Sequence, residues 1–167
     1  MVFLFKKVRP PQKNFYIFFH SIYKKVLSML TSAQCLKKYG QPSKTNPCMT
    51  LWDVPKELEI GLIPKKIYCN KDMVTPLSKA FKNLIDTGFV SELKTFDGCF
   101  NIRKKRGLSS MSLHSWAVAI DFNAFENCLG CDPRFSQGFV KCFTDAGFDW
   151  GGLWKRKDGM HFQLKTI

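Results

Sequence analysis

At 167 residues the chain is one domain by size and is long enough to bury a core. Hydrophobic residues make up 45% and Phe alone numbers 16, which excludes disorder as the default state. The net charge of +13 favours anionic surfaces: nucleic acid, lipid head groups, or the phosphate and carboxylate polymers of a bacterial wall. No nucleic-acid motif accompanies it, so many of the 26 Lys and Arg read as a solvated face and nucleic acid is not an expected partner. The seven cysteines are odd in number and irregularly spaced, which predicts mostly reduced thiols. Cys128 and Cys131 have the spacing of a zinc half-site or a redox pair, but with no second such pair they read as small residues in a loop.

Residues 1–28 read as an N-terminal extension, disordered or simply outside the domain that occupies 29–167. The aromatic run Phe15-Tyr16-Ile17-Phe18-Phe19 is broken by His20 and then Lys24-Lys25 before a membrane-spanning length accumulates. No small-residue cleavage site follows cleanly, which argues against a signal peptide, and an interfacial placement is the other reading. A first helix is predicted over 32–39, capped by Thr31 or Ser32 and ended by Gly40. Short strands are predicted over 50–54 and 66–69. A long amphipathic helix is predicted over 72–87, with Leu77, Ala80, Phe81, Leu84 and Ile85 as its apolar stripe and Gly88 as its stop. Residues 93–96 and 99–103, joined by Asp97-Gly98, read as a hairpin with Asn101 and Arg103 on one face of its second strand. Residues 116–122 read as a strand, 123–134 as a loop that borders a cleft, and 135–146 as a second amphipathic helix. On a final strand, His161 and Gln163 alternate with Phe162 and Leu164.

The chemistry centres on His114, Asp121, Asp158 and His161. In the strand, Trp116, Val118 and Ile120 share one face, and Ala117, Ala119 and Asp121 the other. A carboxylate flanked only by methyl groups leaves space above it and calls for a paired partner or a metal. His114 lies an odd number of residues before Asp121, so the two converge only if the chain turns near Ser115. Asp158 precedes His161 by three residues on a Gly-containing turn that can bring both side chains to one side. Two His and an Asp make an open zinc site whose fourth position takes water, while a spare acid moves protons. The same residues also suit a core histidine, a strand-end Asp in a turn and a helix-free C-terminal His with a hydrogen bond.

The run Ser112-x-His114 through Asp121, then Gly147-Phe148-x-Trp150-Gly151-Gly152-x-Trp154, then Asp158-x-x-His161-Phe162, resembles the zinc D-Ala-D-Ala carboxypeptidase superfamily, and within it the phage-type L-alanyl-D-glutamate peptidases that act as endolysins. The similarity covers roughly residues 29–167. It implies zinc bound by His114, Asp121 and His161, Asp158 as the catalytic acid-base group, and Arg103 as the arginine that holds substrate and the developing oxyanion. Ser112 and Trp154 are placed at the substrate. Two departures are the Ala117 that stands where the family often has Gly and the Gln163 where it often has Glu, neither of which removes a ligand.

The expected fold is α+β, a small antiparallel sheet carrying the metal on one face with flanking helices on the other, shared with these peptidases and the Hedgehog signalling domain. The expected activity is zinc-dependent hydrolysis of a peptide bond in peptidoglycan stem peptides, of the L-alanyl-D-glutamate endopeptidase or D-Ala-D-Ala carboxypeptidase type. The chain is expected to act on the bacterial cell wall as a monomer, to be made in the cytoplasm of a phage-infected host or a bacterium, and to meet anionic wall polymers with its charge. A rival is a non-catalytic zinc-containing wall-binding module of the same fold, which the spare acid Asp158 speaks against. A basic nucleic-acid-binding protein is a third reading, marked by salt-sensitive, metal-independent DNA binding.

Overall fold

The computed structural model describes residues 29–167, so the expectations for 1–28 lie outside the described residues. Its first helix, α1 (Ser32–Tyr39), begins with a capping box: Thr31 Oγ1 accepts from the Gln34 amide at 3.3 Å, while Gln34 Oε1 accepts from the Thr31 amide at 2.8 Å. Strands β1 (Met49–Asp53) and β2 (Lys66–Asn70) form an antiparallel pair, a second sheet beyond the single one expected. The long helix α2 (Lys71–Thr87) is capped by Asn70, and Gly88 ends it in the left-handed region at φ 78°. Met73, Leu77, Ala80, Phe81 and Leu84 are its buried stripe; Ile85, counted on that stripe from sequence, is 39% exposed.

The larger sheet has four antiparallel strands in the order β3 (Phe96–Gly98), β4 (Ala119–Phe122), β6 (His161–Leu164), β5 (Phe148–Trp150). Helix α3 (Gln137–Thr144) begins at Ser136, whose Oγ accepts from the Phe139 amide at 3.1 Å. Pairing sets Asp121 opposite His161 and Ala119 opposite Gln163, while Ile120 lies opposite Phe162. One face of β4 and β6 is therefore polar and the other aromatic. On the aromatic face Phe143 of α3 stands 4.4 Å from Phe162 and 5.4 Å from Phe122, ring centre to ring centre. Each such buried Phe contributes about 1.5–3 kcal/mol, so this layer anchors the strands that carry the polar face. Among the described residues, no helix is long and apolar enough to cross a membrane.

Three expectations are corrected. Asp97-Gly98 does not turn a hairpin: residues 96–98 pair with β4 across a register shift, and 99–103 continues as irregular chain. The Asp97 carboxylate is spent on the Thr95 hydroxyl at 2.7 Å and the Ala124 amide at 2.8 Å, which ties this segment to the loop after β4. Ile102, on the other face of the expected second strand, is 43% exposed. The strand expected over 116–122 exists only from Ala119; before it, Leu113–Trp116 is a 3-10 turn and Ala117 sits in the left-handed region at φ 50°, ψ 38°. The large-small alternation is real in composition, but the first half of it belongs to a turn. The expectation of mostly reduced thiols holds for Cys35, Cys48, Cys69, Cys99 and Cys142, whereas Cys128 and Cys131 are joined in a disulfide.

Candidate metal centre and cleft

The turn that the sequence required near Ser115 is the 3-10 segment Leu113–Trp116 with left-handed Ala117 behind it. Three bonds hold it in place. Trp116 Nε1 donates to the Gly40 carbonyl at 2.8 Å, Asn70 Nδ2 donates to the Trp116 carbonyl at 3.1 Å, and the Asn70 amide donates to the Ala117 carbonyl at 3.2 Å. The irregular segment 99–103 runs alongside it, with the Asn101 amide on the His114 carbonyl at 3.1 Å and the Arg103 amide on Ser115 Oγ at 3.1 Å. Left-handed Ala117 reverses the side-chain parity, so His114 points to the same side as Asp121.

His114 Nε2 lies 3.1 Å from Asp121 Oδ1 and 3.1 Å from His161 Nδ1, and His161 Nδ1 lies 3.0 Å from Asp121 Oδ1. The other ring nitrogens decide the tautomers. His114 Nδ1 is 3.0 Å from the Cys99 carbonyl, which only accepts, so Nδ1 carries the proton. Gln163 Nε2 donates to the Leu30 carbonyl at 3.4 Å, which leaves Gln163 Oε1, 3.2 Å from His161 Nε2, as acceptor. In their neutral forms both imidazoles therefore aim lone pairs at the point where the Asp121 carboxylate aims its own. Three acceptors this close repel unless a proton or a metal cation lies among them. Nitrogen and oxygen donors of a tetrahedral Zn²⁺ at about 2.0–2.1 Å stand about 3.3 Å apart, and this trio is nearly at that spacing. The donor set thus fits the metal.

Burial works against the Asp121 charge, but the contacts and positive fields of His114 and His161 overcome it and hold the carboxyl well below its ordinary range. Burial likewise opposes protonation of His161, and Asp121 with Asp158 outweighs it and raises the imidazole. Asp158 responds the other way: burial pushes its carboxyl up, helped by Asp121 and resisted by the two histidines and Arg103. Its Oδ1 is buried without a hydrogen-bond partner among the described residues. A carboxyl that burial biases toward holding a proton, with a free oxygen beside an open metal set, is suited to passing protons.

All four residues except His114 line one cleft of about 310 Å³, together with Arg103, Ser112 and Trp154. The Trp154 ring stands 5.3 Å from the His161 ring. Leu129 brings the loop 123–134 to the cleft as expected, whereas sequence reasoning did not anticipate Lys105, Arg106 and Arg156 in this wall, nor Gln163 as the partner of His161. Period-two alternation already placed Gln163 on the side of His161; the others arrive from loops and carry no local signal. Asp158 is held by backbone: its amide donates to the Gly151 carbonyl at 3.0 Å, and it bridges to Leu129 of the disulfide loop.

A family model described as D-alanyl-D-alanine carboxypeptidase matches residues 106–164, the span that contains His114, Asp121, Asp158 and His161. The matched span is about a third of the chain, and over it the chain is similar to D-alanyl-D-alanine carboxypeptidases. No curated protein and no solved structure matches the chain.

Proposed function

We propose that this chain is a zinc metallopeptidase that hydrolyses a peptide bond in the stem peptides of bacterial peptidoglycan, by L-alanyl-D-glutamate endopeptidase or D-Ala-D-Ala carboxypeptidase chemistry. The observation that carries the proposal is the meeting of three metal-ligating atoms, His114 Nε2, Asp121 Oδ1 and His161 Nδ1, within 3.1 Å of one another, beside a buried carboxyl with an unpaired oxygen. A Zn²⁺ held there would supply a Lewis acid and water acidic enough to attack near neutral pH. Asp158 takes the proton of the attacking water and returns it to the leaving amine. Arg103 faces the cleft and offers its guanidinium to a substrate carboxylate and the developing oxyanion. Ser112 and Trp154 border the space a peptide backbone would fill.

The test is digestion of purified peptidoglycan with and without a chelator, read by released amino groups and by mass spectrometry of the fragments. Cleavage that stops with chelator and returns with zinc is the expected result, and the fragment masses name the bond. Asp158→Ala should keep stoichiometric zinc and lose cleavage, whereas His114→Ala and His161→Ala should lose both. Normal turnover by the Asp158 variant would overturn the assignment.

A further inference from the structure

The cleft holds more positive charge than the proposed chemistry uses. Arg103, Lys105, Arg106 and Arg156 all line it, and none forms an ion pair among the described residues. The carboxylates in the same wall are Asp121, engaged between two imidazoles, and Asp158. Arg106 and Arg156 come from segments 50 residues apart, and Arg156 Nη1 donates to the Arg106 carbonyl at 3.4 Å. The Arg106 side is a built turn, closed by the bridge between Lys104 and Met111 and by the Lys105 amide on the Ser110 carbonyl at 2.9 Å. Arg156 also walls an adjoining open groove with Lys155, Lys157 and Asp132, the last paired with Lys157, so it stands where the cleft meets the surface. Like charges gathered without partners repel, and an anion between them relieves that repulsion.

We infer that Arg106 and Arg156 form a second anion subsite at the mouth of the cleft, separate from the position served by Arg103, and that it takes a further free carboxylate of the peptide substrate. The inference rests on the peptidase reading and narrows it: the preferred substrate is a peptide with at least two free carboxylates. Planar guanidinium forks match carboxylates bidentately. The confined space beside the donor trio favours a peptide end over a running phosphate polymer, and Leu108, Leu113, Leu129 and Met160 in the same wall suit the small aliphatic side chains between its charges.

Two synthetic stem-type peptides, identical except that the D-glutamyl α-carboxylate is free in one and amidated in the other, provide the test. The zinc-loaded chain should prefer the free acid by about tenfold in KM. In Arg106→Gln and Arg156→Gln the preference should fall toward one, while Lys79→Gln, an equal charge loss on the exposed side of α2, should leave it intact. Equal KM for the two peptides, or a preference that survives both arginine substitutions, overturns the subsite and leaves the peptidase reading standing. If the native chain cleaves neither peptide, the peptidase reading fails instead, and calorimetric titration with the same pair decides the subsite: preference lost in the arginine variants supports it, and equal binding by the native chain overturns it. Arginine-dependent binding of poly(glycerol phosphate) with no discrimination between the peptides would also overturn it, in favour of a polymer-binding surface.

Discussion

Gln163 Oε1 lies 3.2 Å from His161 Nε2, and because the Gln163 amide nitrogen is committed to the Leu30 carbonyl, the pair fixes which imidazole nitrogen faces the donor cluster. Gln163→Leu removes that acceptor and leaves the Leu30 carbonyl unpaired in the interior. Losing an outer partner of this kind costs about 10–100-fold in metal affinity. Competition against a chromophoric chelator should show that loss, with Gln163→Glu, which retains an acceptor oxygen, far closer to the native chain. An unchanged zinc affinity in Gln163→Leu would remove Gln163 from any positioning role.

Gly151 lies against the backbone of Asp158, the proposed proton carrier: a Cβ there would stand 2.5 Å from the Asp158 carbonyl oxygen and 3.1 Å from its Cβ. Backbone cannot swing away as a side-chain end does, so Gly151→Ala must shift Asp158. Displacing a catalytic group by about 1 Å can cost about 100-fold in rate. The variant should therefore bind zinc like the native chain but turn over at least about tenfold more slowly, and matched kinetics with zinc analysis on one preparation checks both halves.

Asn70 does two jobs while fully buried, since its Oδ1 caps α2 by accepting from the Asp72 amide at 3.0 Å and its Nδ2 holds the Trp116 carbonyl beneath the His114 turn. Asn70→Ala should destabilise the fold by about 1–3 kcal/mol, from a lost cap together with an unpaired carbonyl. Urea unfolding measures this, and zinc affinity should fall with it because the turn that presents His114 loses its tie.

Burial pushes the Cys35 and Cys69 thiols up to about 12 from an ordinary value near 9. Between those values the unfolded chain releases these protons and the folded chain keeps them, so the unfolded state binds fewer protons and stability must fall as pH rises. Each thiol contributes a slope of at most about 1.4 kcal/mol per pH unit in that window. Denaturant midpoints taken from pH 8 upward should decline, and the Cys69→Ala variant should decline less steeply. A flat profile in the native chain would contradict the burial of these thiols.

What the sequence determined by itself is whatever depends on near neighbours. The N-cap at Thr31 or Ser32, most of the buried stripe of α2 and its Gly88 stop, the second amphipathic helix and the alternation of β6 were all legible because caps and periodicities are local chemistry. The α+β class followed from those elements, and the order and spacing of His114, Asp121, Asp158 and His161 marked the residues worth watching. Tertiary structure decided the rest. Asp97-Gly98 looks like a hairpin turn until Asp97 finds Thr95 and Ala124, and residues 116–118 look like strand until left-handed Ala117 is held between Asn70 and His114. The proton-bearing nitrogens of the two imidazoles depend on the Cys99 carbonyl and on Gln163. The cationic mouth exists only because loops 50 residues apart meet. Long-range packing settles such features because the local conformations compete within a few kcal/mol, and the contacts that choose between them come from elsewhere in the chain.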